Sequence, residues 1–541
     1  MKLEMENQVP MEYLAREELQ LGGFHLFADT RARSRRLFAK VVSIVEIYTG
    51  VETFPVGLPD SPIILQIQWS PNGEELALLL EATSKTELWH IDLESGKATK
   101  LSELAIHAGM DHAIYWASDS LSIIAKTVPS DLGLRPVPPK TPKSAILRET
   151  SDEALPAQTH QGVLRTLYDV EMFEYFFKSQ IVRIGLDGSE TSIGESGIYR
   201  YFRESPDSNY MVVERLVKPW SFLVNQEQFA YDIEIWDLKR GDTHEAVSSP
   251  VAEYLPYGGG SVRRGVREFQ WRSDKAATLV WIEAQDRENP YQTAKIREHI
   301  YSFEAPFTDS PELNAAIGNR FGDILWDRED RAFLIFWDWI DRKLSLVAFN
   351  PSDPKQSHRR LLQYEFGDRY RHPGLPLLSY NKYGFPIITT DASGEHIFLL
   401  GEGASLKGYR PFLDRFNINT KRKKRLFRSD DNFYENVVSV LDPDKGDLLV
   451  TRESIHTPPN YFVWNPKEKF HKPPTWEENP FTKLETVGRQ QLRYKRKDGV
   501  ALTAELYLPL GYDKKRDGPL PTLVWAYPRA YQSANNAQSG K

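Results

Sequence analysis

Short apolar runs separated by polar turns recur through most of the 541-residue chain. The first clear unit, ILQIQWSPNGEELALLL from Ile64, reads as a strand, a turn over Pro71 to Gly73 and a second strand. A second hairpin, TELWHIDLESGKATKLS from Thr86, turns over Glu94 to Gly96. Four short antiparallel strands in succession are the content of one propeller blade.

The inner hairpin returns around Trp116 (YWASDSLSIIAK), Phe202 (FRESPDSNYMVVE), Trp271 (WRSDKAATLVWIE) and Trp326 (WDREDRAFLIFW), then more weakly from Ile388 (ITTDASGEHIFLL) and Val440 (VLDPDKGDLLV). Outer hairpins follow from Ser179, Tyr231, His299, Lys343, Arg410 and Tyr461. The intervals from Trp69 to Trp116 and from Trp271 to Trp326 lie near the period of about 40 to 50 residues of propeller repeats. Seven blades are expected, or eight if the hairpin-like run KVVSIVEIYTGVETFPVG from Lys40 starts another instead of closing the ring.

Three departures from the repeat complete the organisation. Apolar spacing predicts a helix from Met11 to Leu21. A Pro- and charge-rich insertion runs from Leu134 inside the second blade and ends in a helix expected over Tyr168 to Phe177. From Gln490 the pattern changes to two strands about the turn Lys497-Asp498-Gly499, a Pro-flanked loop and an apolar strand from Leu523 to Tyr527, which is how an α/β sheet begins. The expected fold is therefore all-β: residues 1–39 form an N-terminal segment, 40–485 the propeller and 486–541 the start of an α/β domain.

Composition narrows the chemistry. Hydrophobic residues at 40% and charged residues at 26% fit a packed globular chain, and 13 Trp with 25 Tyr favour strands. A net charge of -7, from 68 basic against 75 acidic residues, offers phosphate backbones no general attraction, so nucleic acid is not an expected partner. With no Cys, disulfides, thiolate nucleophiles and Cys-ligated zinc are excluded, and a reducing compartment is favoured. The N-terminal residues interleave Glu and Lys where a signal peptide would be apolar, and no run is long enough to span a bilayer. The expected location is the cytoplasm, or an organelle stroma if a transit peptide has been removed.

The phrase RYKRKDGVALTAELYLPLGYD followed by GPLPTLVWAYP resembles the opening of the catalytic domain in the prolyl oligopeptidase family of serine peptidases. GEGASLKGYRPFLDRFNINT from Gly401, SQIVRIGLDG from Ser179 and TPPNYFVWN from Thr457 are most similar to its glutamyl-endopeptidase branch. The resemblance implies a propeller covering an α/β-hydrolase active site, so that the partners are peptide substrates and the chain's own catalytic domain. It implies a nucleophile written Gly-x-Ser-x-Gly, with Asp and His later in the chain. That motif does not occur here; the near misses around Ser196, Ser261 and Ser405 fail at the fifth position. Nucleophile, acid and base are therefore expected beyond Lys541, and the chain alone is expected to be inactive. By its match to the family motif, Tyr527 corresponds to the phenol that donates to the oxyanion of the tetrahedral intermediate.

Cleavage after Glu requires a cation at the bound side chain, preferably a forked guanidinium. The loop GGGSVRRGVREFQWR from Gly258 gathers Arg263, Arg264 and Arg267 beside glycines and is the candidate for that role. The run KRKKR from Lys421 reads as an exposed turn. His107 and His112 flank Asp111 without a third ligand at metal spacing, and Gly401-Glu402-Gly403 lacks the third glycine of a dinucleotide site, so neither metal nor cofactor is expected. Two alternatives stay open on the residues alone: a non-catalytic propeller that binds peptides or proteins, and a propeller glycosidase or lyase with paired carboxylates.

Overall fold

The computed structural model describes residues 1–526 except 7–8, 142–159, 256–258, 354, 357, 406–407, 455, 471–473, 480–481 and 483–486. Seven antiparallel sheets of four successive blade strands follow one another. Blade 1 holds Ile63–Trp69, Glu75–Glu81, Thr86–Asp92 and Lys97–Lys100; blade 2, Ile114–Trp116, Ser122–Thr127, Ser179–Gly185 and Glu190–Gly197. Blade 3 holds Tyr199–Glu204, Tyr210–Leu216, Tyr231–Asp237 and Thr243–Ser249; blade 4, Val266–Trp271, Thr278–Ala284, Glu298–Glu304 and Glu312–Ile317. Blade 5 holds Arg320–Arg328, Arg331–Asp338, Lys343–Phe349 and Arg359–Glu365; blade 6, Leu375–Pro376, His396–Gly401, Phe412–Asn417 and Lys423–Arg428. Blade 7 closes the series with Tyr434–Asp442, Asp447–Glu453, Asn460–Asn465 and Lys469–Phe470. The chain is a seven-bladed β-propeller.

The turns show why these residues make hairpins. In blade 1 the Ser70 hydroxyl accepts from the Glu75 amide at 2.9 Å and donates to Asn72 at 2.6 Å, while Gly73 takes φ +77°. Ser205 and Asp207 repeat the device in blade 3. At the outer turns Asp92, Asp237 and Asp442 each accept two backbone amides just downstream, the Asx turn that short polar side chains favour.

Apolar clusters fasten each blade to the next. Ile123 and Val182 of blade 2 pack with Ala77 and Leu79 of blade 1, and Tyr115 and Ile124 meet Phe202 and Met211 of blade 3. Comparable clusters join blades 3 and 4, 4 and 5, 5 and 6, and 6 and 7. Among the described residues blades 7 and 1 share none; Lys2 forms an ion pair with Glu477, which follows blade 7.

The run from Lys40 does not found an eighth blade. Ala39–Val45 pairs with Lys2–Met5 and with Glu52–Thr53, and meets blade 1 at Ala39 and Ile64, so it widens that sheet. The expected N-terminal helix stops at Leu14, because Gly22 and Gly23, at φ +59° and +89°, turn Glu18–Leu21 back onto Phe24–Phe27 as a hairpin. The helix of the blade 2 insertion spans Leu167–Phe177, with a capping box between Thr166 and Asp169. Its buried Phe173 and Phe177 pack with Phe24 of the hairpin and Phe229 of blade 3's flank.

Blade 6 also differs from expectation. Its first strand is Leu375–Pro376, while Pro386–Ile388 pairs with Leu378–Tyr380 as an extra hairpin; each Pro removes a ladder donor and keeps these strands short. At the C-terminal side, Gly488–Lys495 pairs with Ala501–Leu508 around the expected turn. The apolar strand expected from Leu523 is absent through residue 526. Leu523, Val524 and Trp525 are exposed. No helix among the described residues is long and apolar enough to cross a membrane.

Candidate functional site

The first strands of blades 3 and 4 and the residues leading into blade 2 enclose a cavity of about 620 Å³. Its wall includes Asp111 and His112, Arg200 and Tyr201, Tyr231, and Arg263, Arg267 and Phe269. Two of the three arginines singled out in the sequence thus reach one cavity. The third, Arg264, lies in the bend before blade 4, is exposed and does not line it.

Arg263 is held by oxygen atoms rather than by a carboxylate. Its guanidinium donates to the carbonyls of Glu227 (3.1 Å), Phe229 (2.7 Å) and Pro250 (2.6 Å) and to the Ser249 hydroxyl (3.3 Å), and lies 4.4 Å from the centre of the Tyr231 ring. Burial lowers its pKa, against the opposing influence of Tyr231. Arg267 pairs with the fully buried Glu298, whose carboxylate also takes Arg320 at 2.6 Å; Arg320 and Arg297 in turn share Asp286, each at 2.7 Å. This network spans blades 4 and 5 and holds Arg267 in the cavity wall.

The sequence reading missed Arg200. It forms an ion pair with Glu214, donates to the Gln226 carbonyl at 3.0 Å and lies 5.2 Å from the centre of the Tyr231 ring. Burial pushes it down to about 10, the nearby Arg263 charge working in the same direction. The available signal was an Arg beside an apolar first strand in YRYFRES, answered by a Glu inside the apolar MVVERL strand that pairs with it.

His112 stands between the cavity and blade 2, with φ +58°, its Nδ1 bonded to the Tyr115 hydroxyl. Burial lowers its pKa, helped by the charges of Lys126 and Arg203 and opposed by Asp111, so the ring is neutral at neutral pH. His107 points elsewhere, its Nε2 bonded to the Phe176 carbonyl at 2.6 Å, and the two histidines do not converge. Of the near-miss serines, Ser196 lies in the outer strand of blade 2, Ser261 in the loop before blade 4, and Ser405 in a small hairpin where it donates to the Gly408 carbonyl at 2.8 Å. Tyr527 lies outside the described residues.

No protein-family model matches the chain. Among curated proteins it is 32% identical over 558 aligned residues to a protein of Oryza sativa subsp. japonica described as "Probable glutamyl endopeptidase, chloroplastic", which covers 98% of this chain and 59% of the rice protein. A protein of Arabidopsis thaliana with the same description is 31% identical, covering 98% of this chain and 58% of its own length. The chain therefore spans somewhat under two thirds of the relatives it matches. Solved structures similar to it include dipeptidyl peptidase 4 of Porphyromonas gingivalis, at 12% identity and TM-score 0.43, covering 83% of this chain and 65% of that one. Prolyl oligopeptidase B of Galerina marginata has 10% identity and TM-score 0.43, with 82% and 55% covered. Such distant structures add no weight to the fold, which rests on the seven sheets. By sequence, nearly the whole length of the chain is similar to these two plant proteins, both described as probable glutamyl endopeptidases.

Proposed function

We propose that this chain is the propeller portion of a prolyl-oligopeptidase-type serine peptidase, and that its 620 Å³ cavity receives an acidic residue of a peptide substrate. The observation that carries the proposal is Arg263. It is a half-buried guanidinium with four oxygen partners, none of them a carboxylate, so its charge lacks a counter-ion that an incoming carboxylate supplies. Arg267, paired with Glu298, and Arg200, paired with Glu214, make the surrounding wall rigid; Arg264 belongs to the rim. The proposed division is a segment over 1–39, the propeller over 40–485 and the beginning of a hydrolase domain over 486–541. In that division Tyr527 supplies an oxyanion donor, and the nucleophile, acid and base come from catalytic-domain residues outside these 541. A Cys-free chain related to proteins described as chloroplastic is assigned to a reducing compartment, organelle stroma or cytoplasm.

The test is binding of blocked peptides that differ only by Glu or Gln. A charge-assisted hydrogen bond is worth about 1.5–3 kcal/mol, so the chain is expected to prefer Glu by about tenfold or more. Arg263→Gln should bring the ratio close to one, and Arg263→Lys should retain part of it. An unchanged ratio in a folded Arg263→Gln protein would leave Arg263 as a tie between backbone carbonyls and remove the acidic-substrate assignment. Peptide binding without any preference for Glu would favour the non-catalytic peptide-binding propeller.

A further inference from the structure

A second cavity, of about 340 Å³, opens between the N-terminal segment, the first two strands of blade 1 and the residues leading into blade 2. It shares Asp111 and His112 with the larger one, so the two meet at a common wall. Its polar lining comes from Arg33, Arg36, Gln66, Asp111 and His112 over an apolar floor that includes Met110.

The two arginines converge on a single acceptor. Arg33 donates to Asp111 Oδ1 at 2.9 Å and Arg36 to the same oxygen at 2.7 Å. With His112 neutral, this lining carries two guanidiniums against one carboxylate, a surplus of one positive charge beside buried apolar side chains. The geometry is built and not incidental. Arg31, buried, donates to the carbonyls of Tyr175 and Phe176 at the end of the insertion helix, and Arg35 pairs with Glu18 at 2.8 Å. Both Arg31 and Arg35 adopt left-handed φ values, +52° and +57°, which costs conformational energy and winds the segment so that Arg33 and Arg36 face the cavity. The Arg33 amide is fixed to the Ala108 carbonyl at 3.2 Å.

We infer that this second cavity is a carboxylate subsite, which holds a second anionic group of the same peptide whose acidic residue occupies the first. The inference rests on the acidic-peptide assignment of the larger cavity. The bound group is either the terminal carboxylate of the peptide or a second acidic side chain, and in both cases it completes the pairing that Asp111 alone leaves short.

Three peptide forms separate the possibilities by fluorescence anisotropy on the full chain: one Glu with both ends blocked, the same with a free C-terminus, and a blocked peptide with a second Glu at increasing separations. The second carboxylate is expected to tighten binding by about fivefold, the upper range for a partly exposed ion pair. Arg33→Gln/Arg36→Gln should abolish that gain while leaving the affinity for the singly charged peptide unchanged. Asp111→Asn, which frees both guanidiniums, should enlarge the gain, and it serves where the double variant does not fold. A gain seen only with the free terminus assigns the site to the terminal carboxylate; one seen only with the second Glu assigns it to a side chain. If the singly charged peptide binds with Glu preference but neither form adds affinity, or the gain survives the double variant, this subsite is refuted and the first cavity stands. If the singly charged peptide shows no Glu preference, the first assignment has failed instead.

Discussion

Replacing Lys126 by Met gives a pH-dependent test of how the two cavities are held together. Lys126 lies in the second strand of blade 2, fully buried, and its ammonium donates to the carbonyls of Asp111 at 2.9 Å and Tyr199 at 3.2 Å. It therefore ties the wall shared by both cavities to the first strand of blade 3. Burial pushes its pKa down from 10.5 to about 7, the charge of Asp111 opposing the change only in part. The unfolded chain then binds more protons than the folded one between about pH 7 and 10.5, so stability rises with pH across that window. Evaluated from pH 7 to 9.5, this single group contributes an increase of about 3 kcal/mol. Lys126→Met keeps the length of the side chain and removes the titration. It also leaves two carbonyls without their donor, a cost of about 1–3 kcal/mol each that does not depend on pH. The offset between the two proteins is thus mixed, but its slope is not. Urea denaturation of both at matched pH should show the wild-type chain gaining about 3 kcal/mol on the variant from pH 7 to 9.5. A difference that stays level over that range would mean that Lys126 titrates as in water, and the buried tie would be wrong.

Phe173 is fully buried, with ring centroids 4.9 Å from Phe177, 5.2 Å from Trp220 and 5.6 Å from Phe229; Phe173→Ala should cost about 3–5 kcal/mol, read as a lower urea midpoint, and a loss below about 1 kcal/mol would contradict the packing. Gly259 lies so close to the Trp339 indole that an added Cβ would overlap the ring, which displaces the loop bearing Arg263. Gly259→Ala should therefore lower affinity for Glu peptides with little change in melting temperature, and Trp339→Ala in the same protein should restore it; failure of that rescue would show that the loop is not seated by Trp339. Raising salt towards 1 M, where the screening length falls to about 3 Å, should weaken the Glu preference by less than half, whereas its complete loss would place recognition at the exposed rim.

The repeat was legible because each blade announces itself twice, by an apolar pair of strands and by a Ser, Asn or Asp that satisfies the turn. Ser70 and Asp92 show both signals, and the seven sheets fall where those signals lie. Pairing partners were less legible, since hairpin periodicity does not say which strand lies beside which. The run from Ile388 looked like the opening of blade 6's inner hairpin, and Ile388 instead ends a strand, Pro386–Ile388, that folds onto Leu378–Tyr380. At the N-terminus, leucines at helical spacing outweighed the Gly22-Gly23 pair, yet two adjacent glycines at positive φ decide a hairpin locally. The candidate site was legible only as a basic loop. Arg263 and Arg267 were visible in it, while Arg200 lies 63 positions from Arg263 and shares its cavity only through the packing of blades 3 and 4, and Glu298 lies 31 positions from Arg267 and meets it only through the folding of blade 4.

The acid count of the larger cavity would at first sight oppose an anionic ligand, since Asp111, Glu214, Glu227 and Glu268 stand against Arg200, Arg263 and Arg267. Position decides the balance. Glu214 is buried and consumed by Arg200, and Asp111, Glu227 and Glu268 are exposed, where water and salt screen them. Behind the lining, Arg267 shares Glu298 with Arg320, and Arg320 shares Asp286 with Arg297, so three guanidiniums face two carboxylates, and of these only Arg267 reaches the cavity. Arg263 adds a further positive charge held by neutral oxygens alone. The same unit charge acts several times more strongly in a half-buried setting than in bulk water, because the interaction scales inversely with the local dielectric. The potential met by a side chain reaching the floor is therefore set by the buried cations and not by the rim acids. A carboxylate gains there what an amide of the same shape does not, and the discrimination comes from charge placed by the fold rather than from the net charge of the chain.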